Sequence, residues 1–184
     1  MTDDLRIAVE RLCAYGRRFD RIVPVLKAHR QAAVPVLVRL LAHQDPGWRK
    51  GAATAFARMR ATPRRALPGL LRMLKSQDAT ELIVAISALD WLPADSHQRA
   101  VPAIKRLLLS DPVRGPRFTM VRAHLPRAVG AHFLGLHGGA HGLAALSVAS
   151  RRGKDPILHH IKAALEDAKV GRGGARQSRR RTMR

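Results

Sequence analysis

Ala33-Val34-Pro35-Val36-Leu37-Val38-Arg39-Leu40-Leu41 decides the fold, because the same pattern comes back twice. It returns as Ala66-Leu67-Pro68-Gly69-Leu70-Leu71-Arg72-Met73-Leu74, and again as Ala100-Val101-Pro102-Ala103-Ile104-Lys105-Arg106-Leu107-Leu108. The prolines lie 33 and then 34 residues apart, and a turn aspartate follows each copy at Asp45, Asp78 and Asp111. A fixed period in this range signals a stacked repeat, in which each unit buries its apolar face only against its neighbours.

The rest of the sequence agrees with helices. Hydrophobic residues make up 46% of the chain and aromatics only 4%, so the core is built from Leu, Ala, Val and Ile. Strand-like alternation is absent. Asp45-Pro46, Asp111-Pro112 and Asp155-Pro156 each set an N-cap side chain before a proline at the first helical position, and Thr62-Pro63 has the same form. There the missing proline N–H is harmless and its fixed φ is already helical. These signals predict helices near 4–15, 18–29, 32–43, 47–60, 64–76, 80–92, 97–109, 116–126, 128–137, 140–151 and 156–169. The expected fold is all-α: an α-solenoid of about five stacked antiparallel hairpins over residues 1–170. From Gly171 the chain carries six arginines, no acid and almost nothing apolar, so residues 171–184 are expected to be a disordered basic Arg/Gly-rich tail.

Ala128 to Ser150 holds no Lys, Arg, Asp or Glu, yet it contains five glycines and three histidines, with Gly138-Gly139 in the middle. Two short buried helices joined at the glycine pair explain it better than a membrane span. The acidic start, Met1-Thr2-Asp3-Asp4, has no apolar run behind it and does not read as a secretory signal. Cys13 is the one cysteine and has no histidine beside it, so it reads as a small buried hydrophobe. A reducing, cytoplasmic location is expected.

A first helix with Pro near its start and Leu-Leu near its end, an aspartate turn, and an alanine-rich second helix together resemble a HEAT repeat. The best copy is 33–59, with Asp45 in the turn, Trp48-Arg49 after it, then Ala52-Ala53. A second keeps Asp78, Ala85, Ala88 and Leu89, with Leu82 where Arg49 stood; a third keeps Asp111 and then departs through Gly115 and Pro116. The likeness covers about residues 31–110. The unit is shorter than the usual HEAT length, but the signature residues of TPR and ankyrin repeats are missing. What the resemblance implies is a right-handed stack of hairpins presenting an extended face to protein or nucleic acid. It brings no shared catalytic residues, no cofactor and no small-molecule substrate.

Charge suggests the partner. With 34 basic against 13 acidic residues the net charge is +21, and +15 remains without the tail arginines. Such a surplus draws in polyanions. Arg39, Arg72 and Arg106 fall in one column of the repeat, and Arg30, Arg64/Arg65 and Arg99 in a second. Stacking should align each column as a ladder facing phosphates. Arg172, Arg176, Arg179, Arg180 and Arg181 add a basic end. The expected partner is an acidic macromolecule: nucleic acid, a ribonucleoprotein or an acidic protein gripped by an adaptor. For any single arginine, an ordinary solvated face or a pairing with a neighbouring turn aspartate is the alternative. Trp48 and Trp91 occupy different columns and read as core or hinge residues rather than base-stacking platforms. His137 and His141 are four apart, but the glycines between them break any shared helix, and no metal site is expected. Asp90-Trp91 has the residue types of a HEAT-like DNA glycosylase site, without a second aromatic column to complete it. No nucleophile triad, paired acid and base, or phosphate-binding glycine loop is recognisable, and no enzymatic activity is expected.

Overall fold

A computed structural model describes residues 19–110, 120–151 and 157–181. The expected helix at 4–15, the residues Cys13, Asp111-Pro112, Gly115 and Pro116, and Asp155-Pro156 lie outside them. The described residues are all helical apart from their turns, with no strand among them. The chain divides into two compact units, Met1–Ala100 and Val101–Arg184.

The first unit contains α1 (Phe19–Ala28), α2 (Arg30–Leu40), α3 (Pro46–Met59), a 3-10 turn at Arg64–Ala66, α4 (Leu67–Met73) and α5 (Ala79–Leu89). Helix α2 packs on α3, α4 packs on α5, and α3 lies against α5. Helix α3 buries four small residues, Gly51, Ala52, Ala53 and Ala55, which lets its neighbours approach closely. Leu37, Leu41, Phe56, Leu67, Leu70, Leu82, Ile86 and Leu89 fill the remaining space. Each such side chain contributes roughly 1.5–3 kcal/mol by leaving water.

The recurring sequence pattern ends in the same way in two helices. At the end of α2 the N–H groups of Leu41, Ala42 and His43 donate to the carbonyls of Leu37, Arg39 and Leu40. At the end of α4, Leu74, Lys75 and Ser76 donate to Leu70, Arg72 and Met73, the same pattern one repeat later. Both α3 and α5 are capped by an aspartate; the sequence predicts the cap at Asp45, and the turn aspartate Asp78 serves as a second. Asp45 accepts from the N–H of Gly47 at 2.6 Å, with Pro46 opening α3. Asp78 accepts from Thr80 at 2.8 Å and Glu81 at 3.2 Å. Gly69 of α4 is seated on Leu41: a Cβ there would stand 2.7 Å from the leucine Cβ.

Thr62 departs from the expectation. It is no N-cap: its hydroxyl donates to the Ala88 carbonyl at 2.7 Å and its N–H to Trp91 O at 3.1 Å. The Ala88 carbonyl, which also accepts from the Trp91 N–H at 3.2 Å, thus takes a second bond from the buried threonine across 26 residues of sequence.

The unit boundary falls within α6 (Ala94–Leu109). Beyond it, α7 (Met120–His137), α8 (Gly139–Ser150) and α9 (Leu158–Arg181) pack pairwise on one another. The sequence predicts two helices where α7 runs as one through Pro126. An internal proline costs a helix about 3 kcal/mol, and packing on two neighbours outweighs it. The predicted break at Gly138-Gly139 is present, with Gly139 at φ 54°. Glycines set the spacing: a Cβ on Gly135 would meet the Ala164 carbonyl oxygen at 2.6 Å, and one on Gly142 the Leu134 oxygen at 2.5 Å. Buried Arg127 donates through Nε to the Leu108 carbonyl at 2.9 Å, satisfying the end of α6. Helix α9 runs to Arg181, eleven residues past the predicted boundary at 170. Once a helix exists, each further residue adds a hydrogen bond.

Candidate functional site

Of the residues 22–100, twelve are basic and five acidic. Three basic side chains are held by carboxylates. Arg49 on α3 grips Glu81 on α5 with both arms, Nε to Oε1 at 2.5 Å and Nη2 to Oε2 at 3.1 Å. Its remaining nitrogen, Nη1, donates to the carbonyls of His43 at 3.0 Å and Gln44 at 2.6 Å. Lys50 pairs with Asp78 at 2.8 Å. Arg64 pairs with Asp95 at the start of α6.

These contacts set the local electrostatics. Glu81 is only 1% exposed and is completed by the Ser76 hydroxyl, which donates to Oε2 at 2.7 Å. The bond to Glu81 raises Arg49 above its ordinary value, with burial working against it. Burial pushes the Asp78 carboxyl up, but the hydrogen bond from Lys50 and the N–H groups of Glu81 and Thr80 outweigh it and hold it low.

Of the two predicted columns, Arg30, Arg39, Arg65, Arg72, Arg99 and Arg106 are exposed and make no ion pair among the described residues. Arg39 and Arg72 share one register, each the penultimate residue of its helix. Arg64 is different: its charge is engaged by Asp95, although both side chains are more than half exposed. Such a surface pair contributes little to stability. Arg172, Arg176, Arg179, Arg180 and Arg181 belong to the last turns of α9.

Sequence reasoning missed the cavity that these contacts frame. It has a volume of about 370 Å³ at the turn edge of the first unit. Ala42, His43 and Gln44 line it from the α2–α3 turn, and Arg49 and Glu81 from the second helices. Arg72, Met73, Lys75 and Ser76 close it from the end of α4. The signal was available: Arg49-Lys50 is followed, one repeat later, by Asp78 and Glu81.

The tryptophans are not core residues. Trp91 is 39% exposed, with the Arg60 guanidinium 5.4 Å from its ring centre. Arg60 ends α3 in the left-handed region at φ 53°, uncommon for a residue with a side chain. Trp48 is half-buried against the His43 ring at 5.6 Å. Both follow a helix boundary, where a large ring meets the solvent rather than the interior.

In the second unit, His137 packs on Phe133, and His159 on His160 with ring centres 3.8 Å apart. Burial, then the adjacent His159, lowers the His160 value. His137 and His141 fall on separate helices, and no group of three metal-ligating side chains exists among the described residues. No helix among them is long and apolar enough to cross a membrane. Set against known proteins, the chain matches no family model, and no curated protein is similar enough to match it.

Proposed function

We propose that this chain is a HEAT-like α-solenoid without catalytic activity that binds nucleic acid, alone or within a ribonucleoprotein, through its basic surface. The fold part of this reading is a right-handed array of hairpins. It draws support from the matching ends of α2 and α4 and from the packing of α3 against α5. One observation carries the function. Nine of the twelve basic side chains between 22 and 100 are exposed and make no ion pair among the described residues. The acidic side chains are too few to neutralise them, so the field around the unit favours a polyanion. The scarcity of exposed rings favours contact with the phosphate backbone over base-by-base reading.

Fluorescence anisotropy with a short DNA duplex and its RNA counterpart, titrated across salt concentrations, tests the proposal. Affinity should fall steeply as salt rises, because each neutralised phosphate releases counterions. Undetectable binding at low salt, or binding indifferent to salt, would reject it. A single protein recovered in stoichiometric amount after nuclease treatment would instead favour an adaptor for an acidic protein.

A further inference from the structure

We infer that the cavity at the turn edge of the first unit seats one backbone phosphate of the bound nucleic acid, gripped by Arg72 and Lys75. This deepens the reading above and rests on it. Both side chains line the cavity, are exposed, and make no ion pair among the described residues. Neither is needed to finish its helix, because the carbonyls of Leu70, Arg72 and Met73 already accept from the N–H groups of Leu74, Lys75 and Ser76.

Groups that would repel a phosphate are already engaged. Glu81 is the one carboxylate in the lining, and Arg49 and Ser76 hold both its oxygens. The carbonyls of His43 and Gln44 are occupied by the same guanidinium. What remains is the double positive charge of Arg72 and Lys75. His43 adds a donor: its Nδ1 accepts from the Asp45 N–H at 3.1 Å, which places the ring proton on Nε2. A guanidinium can meet a phosphate with two parallel bonds while an ammonium acts as a point charge, so the pair is complementary. The volume exceeds what a phosphate needs and leaves room for the adjoining sugar.

The site is particular to one repeat. One period earlier, Arg39 keeps the register of Arg72, but Ala42 stands where Lys75 does. A uniform ladder would treat Arg39 and Arg72 alike; a seated phosphate would not.

The deciding experiment compares two full-length double variants of equal charge, Arg72→Gln/Lys75→Gln and Arg39→Gln/Arg58→Gln. Duplex binding is measured against salt, and circular dichroism melting confirms that both remain folded. The first variant should lose about tenfold more affinity than the second, with a salt slope shallower by about one phosphate. In parallel, inorganic phosphate titrated into labelled wild type should shift the amides of Gln44, Lys75 and Ser76, and fail to do so in the first variant. Equal losses from the two variants, or a phosphate titration that leaves those amides unmoved, would overturn the inference while leaving nucleic-acid binding intact. Wild type that binds phosphate there but no nucleic acid would overturn both readings and leave a site for free phosphate.

Discussion

Removing Arg49 would strand Glu81, whose side chain is 2% exposed, with Ser76 as its remaining side-chain donor. A buried carboxylate deprived of its partner costs about 3 kcal/mol or more, so Arg49→Ala should lower the urea midpoint sharply. Replacing both partners, as Arg49→Met/Glu81→Leu, should recover most of that loss, because two matched apolar side chains avoid the desolvation penalty. Equal instability of the single and double variants would show that the pair is not the cause. Asp78 gives a pH signature. Its carboxyl is held below the ordinary 3.8, so at acid pH the unfolded chain holds the proton more tightly than the folded one. Its contribution is fully present above that value and is lost as pH falls through the lower folded value. Asp78→Asn should therefore flatten the acid limb of stability against pH, followed by denaturant melts at several pH values. The Arg49–Glu81 pair was not read from the sequence, because its members lie 32 residues apart and only the repeat period, which sets Asp78 and Glu81 after Arg49-Lys50, relates them.

Helix ends were the most legible elements, because their signals are local. Asp45 and Asp78 announced α3 and α5, each within two or three residues of the N–H groups it caps. Thr62 showed the same local sign and was misread, because a bond to Ala88 outcompeted the cap. The lengths of α7 and α9 were misjudged for a related reason: proline and glycine weaken a helix locally, but packing and propagation act over many residues. Glycine contacts make testable differences between elements. Gly135→Ala and Gly142→Ala would drive a methyl into backbone oxygen of a facing element and should each lower the melting temperature markedly. Gly69→Ala meets the Leu41 side chain instead and should cost about 1–3 kcal/mol, as overpacking does. Gly47→Ala, 3.1 Å from an Asp45 side-chain oxygen, should be the mildest of the four by calorimetry.

At the scale of the molecule, charge is the property that the sequence states most plainly and that the fold preserves. Of the basic side chains between residues 22 and 100, most face water rather than internal carboxylates. Substituting Arg172, Arg176, Arg179, Arg180 and Arg181 together by Gln should weaken duplex binding and flatten its salt dependence. Melting of the first unit should not change; if affinity is untouched, the C-terminal arginines play no part. What composition could not convey was the cavity, because it is framed by contacts one repeat apart in sequence. The connector around Thr62 carries one more consequence. Its amide and hydroxyl are both tied to the far end of α5, so this connector and that helix end share a seam instead of a loose hinge. Extra residues spliced between Ala61 and Pro63 would tear that seam, whereas a whole hairpin bringing its own threonine would extend it. Growth by complete units, never by lengthened joints, is the evolutionary path this geometry leaves open.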